Sequence, residues 1–275
     1  MTDICRNLGH ARTTYYRRAT PKPINAQAVS LRAAIRHTHA DVHATYGSRR
    51  MCAELNAQGF SVGRYKVRSL MKALQLKAKR PKQHRYPIAG KPSAIAPNSL
   101  NRQFNPTVIN TYWTGDITYI RTQQGWLYLA IVLDLYSRRV VSWTFSNQPN
   151  SDLSIRAINL AVQLRQPAQP PIFHSDQGVQ YSSDAFQRVL TKYAMTASMS
   201  RRGNCLDNAV TERFFRSLKS ERVNYKRYKT RAEGMVDIAN YIEAFYNQKR
   251  RHSKLGNISP VEYELRQQII KTASI

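Results

Sequence analysis

Acidic residues are scarce in this chain. It carries 16 Asp and Glu against 43 Lys and Arg, a formal charge of +27 over 275 residues. A surface so unbalanced repels itself unless a polyanion neutralises it, and nucleic acid rewards that pairing through counterion release. Cysteine is scarce too. Cys5, Cys52 and Cys205 lie far apart and no CxxC pair occurs. That excludes a disulfide frame and a thiolate zinc module, and it suits reduced thiols in a cytoplasmic, nucleoid-associated protein. No run of about 18 apolar residues exists, and "MTDICRNLGHARTTYY" has no apolar signal core, so no membrane span or secretory leader is expected. Gly-rich phosphate loops and internal repeats are also missing. Apolar residues are not missing: the 42% hydrophobic fraction suffices for a buried core and separates the chain from a disordered basic tail.

The charge is uneven. Residues 1–100 hold 19 basic and 3 acidic residues, so the first third is the part expected to grip DNA. Residues 1–20 read as a short helical segment broken near Gly9, and residues 21–80 as a helix-turn-helix unit. There "SLRAAIRHTHADVHATYG" forms an amphipathic helix through Leu31, Ala34 and Ile35, ending near Gly47. Ser48 is placed to cap "RRMCAELNAQ", which stops at Gly59. In "SVGRYKVRSLMKALQL", Val67, Leu70, Met71 and Leu74 share one face, while Arg64, Lys66, Arg68 and Lys72 fall on the rest. A helix, a Gly turn and a basic second helix is the arrangement that enters a DNA major groove, although a plain helical hairpin with a solvated basic face has the same pattern.

Residues 81–106 form a basic linker, Pro-rich and aperiodic. After it the grammar changes. "TYWTGDITYI", "GWLYLAIVLDL" and "RRVVSWTFS" read as three antiparallel strands with turns at Gln124-Gly125 and Ser137-Arg138. The helix "SDLSIRAINLAVQLR", the strand "PIFHS", the helix "SDAFQRVLTKYA", the strand "MTASMS" and the helix "DNAVTERFFRSLKSE" follow. The order predicts an α/β domain over 107–226, a mixed five-stranded sheet with flanking helices, and a helical extension over 227–275.

The few acids then stand out. Asp116 is central in the first strand of that domain and Asp176 ends the fourth, and these strands are expected to be neighbours. Two adjacent carboxylates repel unless a cation lies between them, and paired divalent ions are the standard device for in-line phosphoryl displacement. Glu212 can supply a third carboxylate. It lies away from the stripe of Val210, Phe214 and Leu218 and shares a side with Arg216 and Lys219; taken alone, it reads equally as an exposed Glu–Arg pair.

Thirty-five residues separate Asp176 from Glu212, and Lys219 follows seven later. With "WTGDITYI", "LDLYSRRVVSW", "HSDQGVQYSS", "SMSRRGNCLDNAVTERFFRSLKSE", "YNQKRRHSKLGNISPVEYE" and "YGSRRMCAELNAQGFSVGRYKVRSLMK", the chain resembles the OrfB-type insertion-sequence transposases of the retroviral-integrase (DDE) superfamily. The resemblance implies a ribonuclease-H-like core, with Asp116, Asp176 and Glu212 as catalytic and metal-binding triad and Mg2+ or Mn2+, two ions, as cofactor. It implies that Lys219 contacts terminal DNA, that water nicks a transposon end, and that the freed 3′-hydroxyl joins target DNA. Implied partners are double-stranded DNA (terminal inverted repeats and target), further copies of the chain, and an upstream-frame segment such as relatives often carry.

Other residues receive plainer expectations. Arg201, Arg202 and Asn204 precede the Glu212 helix, where phosphate contacts fit. Asp207 and Asn208 suit a helix cap. Asp134 suits a turn or a pair with Arg138 or Arg139. His174 could orient Asp176 or pack in the core. His37, His39 and His43 read as a solvated helix face, and Trp113, Trp126 and Trp143 as core.

Overall fold

The computed structural model describes residues 2–9, 11, 13, 25–79, 96–101, 103–200 and 208–273. They divide into two compact units, residues 1–41 with 47–77 and residues 42–46 with 78–275.

The first unit is helical: α1 (Thr2–Asn7), α2 (Ala26–Asp41), α3 (Ser48–Ala57) and α4 (Arg64–Ala73). Burial follows helical spacing. Leu31, Ile35 and Thr38 are the buried side of α2, Met51 and Leu55 of α3, Val67 and Met71 of α4. Two local expectations are corrected. Helix α2 ends at Asp41, not near Gly47, because His43 and Ala44 adopt left-handed φ of +53° and +59°. Ser48 does not cap α3: it is the first helical residue, and Gly47 is the cap without a side-chain bond. The turn from α3 to α4 passes through Gly59 at φ +91° and is closed by Asn56. Its Oδ1 accepts from the Val62 amide at 3.1 Å and its Nδ2 donates to the Val62 carbonyl at 3.3 Å.

The second unit is built on five strands: β1 (Tyr112–Thr122), β2 (Gly125–Asp134), β3 (Val140–Ser146), β4 (Ile172–Ser175) and β5 (Thr196–Met199). Their order is β3-β2-β1-β4-β5, antiparallel for the first three and parallel where β4 and β5 join. The turns lie at Gln123–Gln124, followed by Gly125 at φ +106°, and around Arg138 at φ +61°. Helices α5 (Ser151–Arg165) and α6 (Asp184–Lys192) cover one face, burying Leu153, Ala157, Ile158, Phe186 and Leu190 against Trp113, Ala130, Val132 and Phe173. Helix α7 (Ala209–Glu221) packs on β1. Helix α8 (Arg231–Asn240) runs on through a π-helical stretch, Tyr241–Asn247. Gly234 lets α8 approach the sheet, since a Cβ there would stand 3.1 Å from Leu127 Cδ2. Helix α9 (Pro260–Ala273) closes the chain.

The scarce acids are spent on holding these helices. Asp237 accepts from Arg222 and from the Tyr228 hydroxyl, Glu221 from Arg250 and the Tyr241 hydroxyl, and Glu264 from Arg139 and Arg165. Arg139 therefore does not pair with Asp134. Arg138 does not either, bonding instead to the Phe104 carbonyl and Asn105. Asp134 is fully buried and accepts from the amides of Asn110 and Tyr136. The described end of the linker is anchored, not free: Leu100 is buried, and its amide donates to Ser198 Oγ at 3.1 Å.

Candidate active site

Sheet register positions the first two acids. The last paired residues of β1 and β4 are Thr114 and His174. Asp116 and Asp176 each lie two residues further on, so parallel pairing brings both to the same level of the sheet. At Gly115, beside Asp116, the Phe173 ring fills the space a Cβ would need. His174 is buried in the core and its Nδ1 bonds Ser198 Oγ at 2.9 Å.

Helix α7 brings the third acid. Its buried side is Thr211, Phe214, Phe215 and Leu218, and Thr211 Oγ1 meets Thr114 Oγ1 at 2.8 Å. That bond ties the first turn of α7 to the strand residue two before Asp116. Glu212 is next to it, half-buried; Lys219 is half-buried on the same side and Arg216 is exposed. Lys219 turns its ammonium over the Tyr119 ring, 4.8 Å from the centroid.

The three carboxylates share one electrostatic neighbourhood. Asp116 is held well above the usual carboxylate range, first by desolvation, then by the charge of Asp176, with Glu212 adding to it and Lys219 opposing it. Asp176 is raised by desolvation, against the Gly178 amide that donates to its Oδ1 at 3.0 Å. Glu212 is raised by desolvation and by Asp176, while Arg216 lowers it. Lys219 is lowered by burial and raised by Asp116. They are not drawn into a closed cage: among the described residues no three His, Cys, Asp or Glu side chains stand as a ready metal-binding group. The donors nonetheless suit a hard divalent ion. They are carboxylate oxygens whose burial and repulsion such an ion would relieve, and Gln177, next in the chain to Asp176, buries its Oε1 with no hydrogen-bond partner among the described residues.

Sequence reasoning misjudged Asn208 and Trp126 and passed over Tyr181. Asn208 begins α7 without a side-chain cap bond. Its Nδ2 instead donates to Asp116 Oδ2 at 3.3 Å and its Oδ1 accepts from Thr114 Oγ1 at 3.2 Å. Trp126 is not core: it is 41% exposed, whereas Trp113 is fully buried. Tyr181 was passed over; its ring is buried against Phe173 and Phe186, and its hydroxyl is raised well above its usual pKa by desolvation and then by both Asp116 and Asp176. Arg201, Arg202, Asn204 and Asp207 lie outside the described residues. On α4, Arg64, Lys66, Arg68 and Lys72 are all exposed, as is Tyr65 at 80%.

Comparison with known proteins matches these units to families. Residues 107–205 and 212–268 match two models described as integrase core domain, and residues 26–84 match an HTH-like domain. The chain is 36% identical over 263 residues to the insertion element IS600 uncharacterized 31 kDa protein of Shigella sonnei, covering 94% of this chain and 97% of that one. It is 38% identical over 222 residues to the transposase InsF for insertion sequence IS3A of Escherichia coli (strain K12), covering 80% and 76%. The chain belongs to the insertion-sequence transposases with an integrase core. The five-stranded sheet with its flanking helices is the integrase core of this family, and the helical unit is its HTH-like domain. The catalytic core domain of BIV integrase aligns at 18% identity over 59% of this chain and 99% of its own, with a TM-score of 0.44. No helix of the described residues is long and apolar enough to cross a membrane.

Proposed function

We propose that this transposase is a DNA strand transferase. Water hydrolyses a phosphodiester at a transposon end, and the freed 3′-hydroxyl displaces a 3′-oxygen in target DNA, so one bond forms for each that breaks. The observation that carries this reading is the pair Asp116 and Asp176, set level by the β1–β4 register and repelling each other in a buried place, with Glu212 beside them. These three would hold Mg2+ or Mn2+, as two ions. Bound there, such ions supply Lewis acidity to the scissile phosphate and lower the pKa of water.

The protein's own groups do the rest. Asn208 keeps Asp116 oriented through one of its oxygens. Lys219, held over Tyr119, and Arg216, exposed on α7, meet phosphates of the terminal DNA. Arg201 and Arg202 are assigned the same task from their place before α7. Arg64, Lys66, Arg68 and Lys72 present α4 to a major groove, with Val67 and Met71 holding its other side to the unit's core. Handling two DNA ends together requires more than one copy, and an upstream-frame segment would add end recognition.

The test incubates the full chain with duplexes carrying its element's terminal inverted repeats and Mg2+. Wild type is expected to nick the 3′ end, and Glu212→Gln to bind the same duplex while nicking falls more than about 100-fold. Tight binding without nicking by wild type would identify an end-occupying regulator instead. Preferential cleavage of RNA–DNA hybrids would identify a ribonuclease.

A further inference from the structure

The β1–β2 hairpin carries a cluster of cations held against aromatic rings. Tyr119 and Trp126 are 36% and 41% exposed and stack edge to face, 5.2 Å apart at 86°. Each ring carries a cation: Lys219 lies over Tyr119 at 4.8 Å, and the Arg121 guanidinium over Trp126 at 5.0 Å. A third cation is fastened beside them, for Arg231 donates from its amide to Gln124 Oε1 at 2.9 Å and from Nε to the Trp126 carbonyl at 3.0 Å. Arg139, Arg165, Arg222 and Arg250 each have a carboxylate, but among the described residues no carboxylate forms an ion pair with Arg121, Lys219 or Arg231. Unneutralised cations held by rigid aromatic rings lose little conformational freedom when an anion arrives.

The three gather around one aromatic pair: Arg121 lies opposite Trp126 in the β1–β2 ladder, Trp126 packs on Tyr119, and Tyr119 lies under Lys219. Lys219 also feels the charge of Asp116, and from Asp116 to Arg121 the strand backbone runs five residues, about 17 Å at about 3.3 Å each.

We propose that Arg121 and Arg231, steadied by Trp126, bind backbone phosphates of the DNA at the β1–β2 hairpin, apart from the phosphodiester that reacts at the acids. The assignment rests on the active-site reading above. The contact recognises phosphate, not base edges, so it adds affinity to any sequence.

The experiment measures binding of the full chain to a terminal-repeat duplex across a salt series, with Glu212→Gln throughout so that cleavage does not intervene. Arg121→Ala added to it is expected to flatten the slope of log K against log salt by about 0.9, the loss of one phosphate contact. Trp126→Ala removes no charge. It is expected to weaken binding several-fold with the slope unchanged, a pattern that a loss of folding does not produce. Both side chains are exposed, so neither change opens the core. An unchanged slope with Arg121→Ala overturns the contact even if wild type nicks DNA normally, and unchanged affinity with Trp126→Ala overturns the role given to the ring. Wild type that fails to nick while Arg121→Ala still flattens the slope defeats the active-site reading and supports the hairpin contact.

Discussion

Asn208 donates from Nδ2 to Asp116 Oδ2 and accepts at Oδ1 from Thr114 Oγ1, so one amide fixes the first acid against the strand that carries it. Replacing Asn208 with Ala removes a bond to a charged group, worth about 1.5–3 kcal/mol. If Asp116 acts at the reacting phosphate, single-turnover nicking of pre-bound DNA should fall about 10- to 100-fold with Kd for DNA unchanged. A wild-type rate in Asn208→Ala would mean that the bond is not needed in the reacting state.

Gly178 predicts a separate effect. A Cβ at that position would stand 2.9 Å from Asp176 Oδ1, so Gly178→Ala must displace the carboxylate. The expected outcome is a protein that melts within a few degrees of wild type yet nicks about 10-fold more slowly, because small misplacements of a catalytic group are costly. Melting curves and single-turnover rates together check it.

Asn56 predicts a defect confined to the helical unit. Its two bonds to Val62 close the α3–α4 turn, and Asn56→Ala should cost about 1–3 kcal/mol there. Amide hydrogen exchange over residues 48–73 should rise while exchange in β1 and β2 stays as in wild type. Equal protection over 48–73 would show that the turn holds without the side chain.

Asp134 predicts a pH dependence. Desolvation pushes its carboxyl up to about 6, against the lowering by the Asn110 and Tyr136 amides. A carboxyl raised in the folded state favours folding while protonated. Its contribution is therefore greatest below about pH 4 and declines as pH rises to about 6, by on the order of 3 kcal/mol, then stays level. Denaturant unfolding between pH 4 and 7 should show this component in wild type and lack it in Asp134→Asn.

Much of the architecture was legible in the sequence because period and punctuation are local. The alternation in "TYWTGDITYI" and the turn at Gln124-Gly125 marked a hairpin that β1 and β2 form. The failures share a cause. Asn208 resembles a cap in sequence, but its amide turns to Asp116, an acid 92 residues earlier. Trp126 resembles core in an apolar run, but it stands near the hairpin tip, 41% exposed, with the Arg121 guanidinium over its ring. Ser48 resembles a cap because nothing in its neighbours reveals that the helix starts one residue sooner.

The sequence by itself determined the charge imbalance, the division into a basic helical part and an α/β part, and which acids were candidates, since these depend on composition and on spacings of a few residues. Only the tertiary structure decided which acids feel one another's charge. A three-residue parallel pairing sets β4, which Asp176 follows, beside β1, which carries Asp116, and a threonine pair fixes the first turn of α7, with Glu212, to β1. It also decided which cations stay unpaired, because Glu221, Asp237 and Glu264 are claimed by arginines brought close only by folding. Such contacts join residues that the chain holds far apart, so no local pattern encodes them.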